Sequence, residues 1–113
     1  MKKATLFFKS FLNLLLCLII FSCNKDAVPS VTTSEVTLIT QNSAVCGGTI
    51  KDNGGSIILS RGVCWSTSQN PTIDESKTSD SSGIGSFISN ISNLTANISY
   101  FIRAYSTNSS GTA

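Results

Sequence analysis

The side chains in this sequence best suited to chemistry are four cysteines and six carboxylates, and histidine is absent. Without imidazole the commonest general base, the commonest zinc ligand and every His-dependent nucleophile arrangement are missing, so a catalytic reading starts from a deficit. Cys46 and Cys64 stand at no metal-ligand spacing and have no further ligands beside them, which argues against zinc. Asp74, Glu75 and Asp80 follow Pro71 in a polar stretch. Calcium wants about six oxygens from a rigid loop, and no Asp-x-Asp-x-Asp-Gly frame is present, so a solvated loop is the expectation here. No cofactor is implied by any of these residues.

A different chemistry is written at the N-terminus. Lys2, Lys3 and Lys9 precede an apolar run from Phe11 to Phe21, the length of an export signal and well short of the ~20 residues of a bilayer span. The run ends at Ile20-Phe21-Ser22-Cys23, which resembles the bacterial lipobox, with an aliphatic residue at −3, a small one at −1 and a cysteine that becomes the first mature residue. The resemblance implies a diacylglycerol on the Cys23 thiol and acylation of the new amino terminus. At roughly 0.8 kcal/mol per buried methylene, two or more chains hold a protein firmly on a membrane. An ordinary secretory signal with a free cysteine nearby is the alternative. Asn24-Lys25-Asp26 is similar to the short tags that send lipoproteins of Bacteroides-like bacteria to the outer face of the outer membrane, or is a solvated linker, and Ala27-Val28-Pro29-Ser30 reads as a tether. The expected organisation is a lipoprotein signal helix at 1–22, a lipidated cysteine and tether at 23–30, and one domain at 31–113.

Once the signal is removed, Lys25, Lys51, Arg61, Lys77 and Arg103 face six acidic residues and form no cluster, which argues against nucleic acid as a partner. The body is rich in Ser, Thr, Asn, Gly, Val and Ile, the composition of strands joined by tight turns. A period of two places strands at 31–40, 44–51, 57–67, 85–91 and 99–107. Between them, Asp52-Asn53-Gly54-Gly55 is the strongest reversal signal, because Asn and Gly adopt positive φ at little cost. The longest break runs from Ser68 to Gly83.

Alternation then assigns an interior. Val63 and Trp65 face inward together with Tyr100, Ile102 and Ala104, closed by Phe87, Ile91 and Leu94, with Ala44, Cys46 and Ile50 opposite. Trp65 is expected to be the largest contributor, at about 3–5 kcal/mol for its removal if fully buried. On this pattern Cys64 points outward and Cys46 inward on the other sheet. A disulfide between them would give roughly 3 kcal/mol in the entropic view, and two separate small thiols are the other outcome. Phe101 and Tyr105 fall on the outward face of the last strand, where aromatics stack on sugar rings or anchor a protein partner unless flanking strands cover them. Asn-x-Ser/Thr sequons at Asn90, Asn93, Asn97 and Asn108 carry no meaning behind a bacterial lipobox.

Leu94-Thr95-Ala96-Asn97-Ile98-Ser99-Tyr100, followed by 101–108, resembles the E–F corner and F strand of a fibronectin type III domain. In that family a leucine six residues before a tyrosine packs the corner, and the tyrosine hydroxyl ties back to the preceding backbone. Tyr100 would be that residue; Ala96 stands where proline is common and Ile98 where threonine is. Arg61-Gly62-Val63-Cys64-Trp65-Ser66, Asn70-Pro71-Thr72 and Gly83-Ile84-Gly85-Ser86-Phe87 look, in order, like a repeat module of secreted proteins from Bacteroides-like bacteria. The resemblance implies an all-β, immunoglobulin-like (fibronectin type III-like) antiparallel sandwich over roughly residues 33–113, with its last strand incomplete and the preceding strand's edge open.

A fold of this kind is not a function. The resemblance implies a non-catalytic module on the cell surface, held by its lipid and serving as a spacer or as an adhesion, protein-binding or glycan-binding domain. Such modules occur in tandem or beside an enzyme. The alternative is the N-terminal fragment of a larger adhesin or carbohydrate-active enzyme.

Overall fold

The computed structural model describes residues 26–113. The expected signal helix and Cys23 lie outside the described residues. What is described is all-β: β1 (Ser30–Thr33), β2 (Ala44–Asp52), β3 (Ser60–Ser66), β4 (Ser76–Lys77), β5 (Gly85–Ile91), β6 (Phe101–Asn108) and β7 (Gly111–Thr112). They form two antiparallel sheets, one in the order β1-β2-β5 and the other in the order β4-β3-β6-β7.

The sheets stack because each presents one apolar row. Ala44, Cys46 and Ile50 of β2 and Phe87 and Ile91 of β5 meet Val63 of β3 and Ala104 of β6, all buried. Successive side chains on a strand alternate between faces, so this row follows from the period-two pattern. Trp65 departs from expectation. It is half-buried and packs against the margin of the cluster, whose centre is Ile50, Ile91 and Val63. The indole sits one residue from the end of β3, where the two layers part.

Three segments differ from the period-two reading. The expected strand at 31–40 breaks after Thr33: β1 pairs with the second half of β2, Ser34 N–H still donates to Gly47 O at 3.0 Å, and the chain meets β2 again at a bridge between Thr37 and Val45. The interruption turns Val36 onto the core. Within the long break, Ser76 and Lys77 pair with Trp65 and Cys64, a strand that carries no apolar alternation to announce it. The Asp52–Gly55 reversal, with φ of 74° at Gly54 and 100° at Gly55, carries the chain from one sheet to the other, since β2 pairs with β1 and β5 while β3 pairs with β4 and β6.

The edge of β6 is less open than the sequence suggests. Thr107 and Asn108 pair with β7, and Ser106 and Ala113 exchange two backbone hydrogen bonds at 3.2 and 2.9 Å. Amides two residues apart on a strand point the same way, so Ala104 N–H faces that same edge, and it donates to Thr33 Oγ1 at 3.0 Å. A threonine from the opposite sheet thus satisfies a donor that lies beyond the reach of β7.

Candidate functional site

The strand registers give the sandwich two distinct ends. Asp52 of β2, Gly85 of β5, Ser60 of β3 and Asn108 of β6 lie at one end; Ala44, Ile91, Ser66 and Phe101 lie at the other. The described chain begins at the first of these. Ala27 N–H donates to Gly54 O at 2.8 Å, and Ser56 Oγ donates to Asp26 Oδ2 at 3.2 Å. Asn108 organises this end from within. Buried at 3 % exposure, its Nδ2 donates to Ala27 O and Asn53 O, both at 2.7 Å, while its Oδ1 accepts from Ser110 N at 2.8 Å and Gly111 N at 3.2 Å. One amide therefore ties the incoming segment, the turn after β2 and the turn before β7 together, with both of its functional groups satisfied.

At the opposite end lies a cavity of about 610 Å³, lined mainly by Val36, Ile39, Leu94, Ile98, Tyr100 and Ile102. Its wall is the corner anticipated from the sequence. Leu94 packs against the core and its amide donates to Asn42 O at 2.9 Å, while Tyr100 Oη accepts from Thr95 N at 3.0 Å. Ile39 and Ile98 of its lining stand exposed, and Phe101, at the same end of β6, is exposed as well. A concave, mostly apolar surface of this size with a few fixed polar groups is what small-molecule and peptide sites are built from.

Of the two surface aromatics expected on β6, the structure leaves Phe101 exposed and buries Tyr105. Tyr105 does point outward from the sheet, as the alternation requires, but the chain after Pro71 folds back over that face. Tyr105, Cys64, Pro71 and Ile73 line one small cavity there. Tyr105 Oη donates to Thr78 O at 2.5 Å. Burial raises the Tyr105 phenol above its ordinary pKa, and the charge of Asp80 pushes the same way. Cys64, on the same covered face, has its thiol pKa raised chiefly by burial, with Arg103 opposing. Tyr105 thus offers nothing to a surface partner.

Cys46 and Cys64 are separate free thiols, both buried. Cys46 faces the space between the sheets and donates to Ser34 O at 3.4 Å; Cys64 lies on the outer face of the other sheet and donates to Arg103 O at 3.5 Å. Alternation had set them on opposite sides of a sheet, and that is what keeps them unbridged.

The three loop carboxylates are not gathered. Asp74 and Glu75 are exposed, and Glu75 Oε1 accepts from Thr72 N at 3.0 Å to close a local turn. Asp80 departs from the solvated expectation and turns inward. Its Oδ2 accepts from Thr78 Oγ1 at 2.7 Å and from Ser89 Oγ, and those two hydroxyls lie 3.0 Å apart. Ser89 belongs to β5 and Thr78 runs beside β3, so this polar knot clasps the two sheets. Arg61 supports it, with Nε donating to Asp80 O at 2.9 Å, Nη1 to Gly83 O at 3.1 Å, and its guanidinium 5.2 Å from the centre of the Phe87 ring. The pattern of apolar residues gave no sign of Thr78, Ser89 or Asn108, because a polar residue at an inward position reads as an interruption.

The described chain is therefore an all-β protein of two stacked antiparallel sheets. No family model matches the sequence, and neither a curated protein nor a solved structure does.

Proposed function

We propose that this protein is a non-catalytic, fibronectin type III-like module of a bacterial surface lipoprotein, anchored in the outer membrane through Cys23 and carrying a binding surface away from it. The observation that supports this reading most is the opposition of the two ends. Asp26, three residues after Cys23, lies at the Asn108 end, and the cavity of about 610 Å³ opens at the other. Three residues of chain reach no further than about 10 Å, whereas the nine residues of β2 separate the two ends by roughly 25–30 Å. A lipid at Cys23 holds the Asn108 end toward the membrane and turns the apolar cavity and Phe101 outward.

The side chains with reactive potential support a binding role as well. Asp80, Ser89, Tyr105 and both buried cysteines are spent on packing and on bonds within the sandwich. The test is metabolic labelling with a palmitate analogue, comparing the wild type with Cys23→Ser, alongside protease treatment of intact cells. Label on the wild type alone, with the module cut at the surface, is the expected result. Label that persists in Cys23→Ser refutes the anchor, and a module protected on intact cells refutes the outward display.

A further inference from the structure

Of the large apolar side chains that stand exposed among the described residues, Ile88 alone lies on a broad face of the sandwich. Leu38, Ile39, Ile98 and Phe101 lie at the end with the cavity of about 610 Å³, and Val28, Ile57, Leu59 and Ile84 at the Asn108 end. This second group borders the place where the chain enters the fold. Val28 follows Ala27, whose amide donates to Gly54 O, and its Cγ1 lies beside Gly111 at the start of β7. Ile57 follows Ser56, whose hydroxyl donates to Asp26 and accepts from Ser109. Leu59 is held beside the end of β6 by its amide, which donates to Thr107 O at 2.8 Å. Ile58, between them, is buried in the core, so Ile57 and Leu59 point away from the interior. Ile84 precedes Gly85 and marks the β5 side of the same end.

We propose that the Asn108 end rests directly on the lipid bilayer, with Val28, Ile57, Leu59 and Ile84 entering the boundary between headgroups and acyl chains. The proposal rests on the reading of Cys23 as acylated and adds to that anchor a second, apolar contact with the same membrane. Chain length carries the argument. Three residues separate Asp26 from Cys23 and span no more than about 10 Å. Asp26 and Ala27 are fastened to Ser56 and Gly54, so the tether has no further length to give. A headgroup layer is itself roughly 5–8 Å thick on each side of the hydrocarbon. An acylated Cys23 at the inner edge of that layer therefore leaves this end no more than a few ångströms clear of the headgroups.

Aliphatic side chains held at that depth gain by leaving water for the acyl boundary, and the strength of such a contact scales with the apolar area it buries. Charge does not drive it: Lys51 stands at this end with Asp26 and Asp52, and anionic lipids are drawn by clusters of basic residues. The exposed apolar group at the other end lies the length of β2 away, beyond the reach of the same tether. A lipid anchor by itself leaves a module free to swing, whereas an apolar foot beside the anchor holds the long axis of the sandwich away from the membrane and keeps Phe101 outward.

The test uses the full chain, processed by its expression host, weighed intact for acyl groups and reconstituted in phosphatidylcholine vesicles. A nitrobenzoxadiazole fluorophore is attached, in separate preparations, to Ile57→Cys, Ile88→Cys and Ile39→Cys, all exposed positions. Cys46 and Cys64 are buried, and the unsubstituted chain supplies the blank. The fluorophore at position 57 is expected to emit further to the blue than the other two, to be quenched by a nitroxide carried on the acyl chains, and to lose several-fold of its quenching by aqueous iodide. Leu59→Asn/Ile84→Asn changes two further exposed side chains and is expected to return that fluorophore to water with an unchanged circular-dichroism spectrum. Full access of iodide to position 57 overturns the proposal, as does a contact that survives the double variant. A blue shift without nitroxide quenching marks a second copy as the occupant, and nitroxide quenching at position 88 marks a module lying flat; either overturns it too. In each of these cases the acylated mass stands, so the anchor survives while the contact falls. A chain without acyl groups removes the anchor, and this proposal with it.

Discussion

Tyr105 and Thr78 meet across an intervening strand: the phenol of β6 reaches over Gly62 of β3 and donates to the Thr78 carbonyl at 2.5 Å. The contact has a pH signature. Burial, reinforced by Asp80, raises the phenol pKa, so the folded protein keeps a proton that the unfolded chain releases above about pH 10. Cys64 acts in the same sense from about pH 9, its thiol raised by the same covering loop. This stabilisation is complete at neutral pH and fades as pH climbs through the raised native values. The melting temperature is expected to fall steeply between about pH 9 and 11. Tyr105→Phe costs about 1 kcal/mol at pH 7 through the lost hydrogen bond, and its melting curve converges on that of the wild type as the medium becomes alkaline. Parallel curves across that range exclude Tyr105 as the source.

Gly62 is what lets the two partners approach. A Cβ there would fall within contact distance of both the carbonyl and the hydroxyl oxygen of Thr78. The carbonyl is backbone and yields only if the segment after β4 moves off β3. Gly62→Ala is expected to cost roughly 1–3 kcal/mol by this crowding, measurable by urea unfolding. Increased hydrogen exchange at Thr78 and Asp80 marks the cause, because both amides bond to β3, at Val63 and Arg61.

How far the fold was legible depended on whether apolar residues carried the signal. β2 and β5 were found nearly residue for residue: β5 alternates between buried and exposed positions along its length, and β2 carries its apolar side chains inward at Ala44, Cys46 and Ile50. The same rule placed Phe87 in the core and Leu94 against it. It failed at β4, which is two polar residues on an edge, and at Tyr105, which obeys the alternation and is nevertheless buried. A single-strand pattern says which face a side chain takes and not what lies upon that face. Trp65 shows the converse: its face was read correctly, but a residue near the end of a strand meets the margin of the sandwich and not its middle. Arg61, Thr78, Asp80, Ser89 and Asn108 were legible only as polar residues, since their bonds are made across long stretches of sequence.

Asn108 is the clearest case of such a bond network. Truncating it to alanine strands the carbonyls of Ala27 and Asn53 and the amides of Ser110 and Gly111 near the protein interior. Each buried group left unpaired costs about 1–3 kcal/mol, though water reaching this end recovers part of the loss. Asn108→Ala is expected to lower stability by roughly 2–4 kcal/mol in total. Asn108→Asp is the sharper test, because it replaces the double donor with a carboxylate oxygen facing two carbonyls. At pH 7 it should be worse than alanine, and acid should relieve it. An aspartate variant as stable as the wild type at neutral pH shows that the side chain does not tie Ala27 and the turn at Asn53 together.

Ser106 and Ser89 are both fully buried, yet they differ in one respect that decides what each contributes. Ser89 Oγ is bonded to Asp80 and Thr78, whereas among the described residues Ser106 Oγ has no partner. A hydroxyl taken from water and given nothing in return is a cost of about 1–3 kcal/mol, partly offset by the packing of its atoms. Its replacement by Ala leaves a void of only one oxygen, so Ser106→Ala is expected to be neutral or to stabilise by up to about 1 kcal/mol. Ser89→Ala removes an atom of the same size from an equally dry place but leaves Asp80 short of a donor, and should destabilise by about 1–3 kcal/mol. Because size and burial are matched, the difference between the two variants in chemical unfolding isolates the value of being hydrogen-bonded. Equal losses for both would mean that packing governs these positions and that the clasp between the sheets contributes nothing of its own.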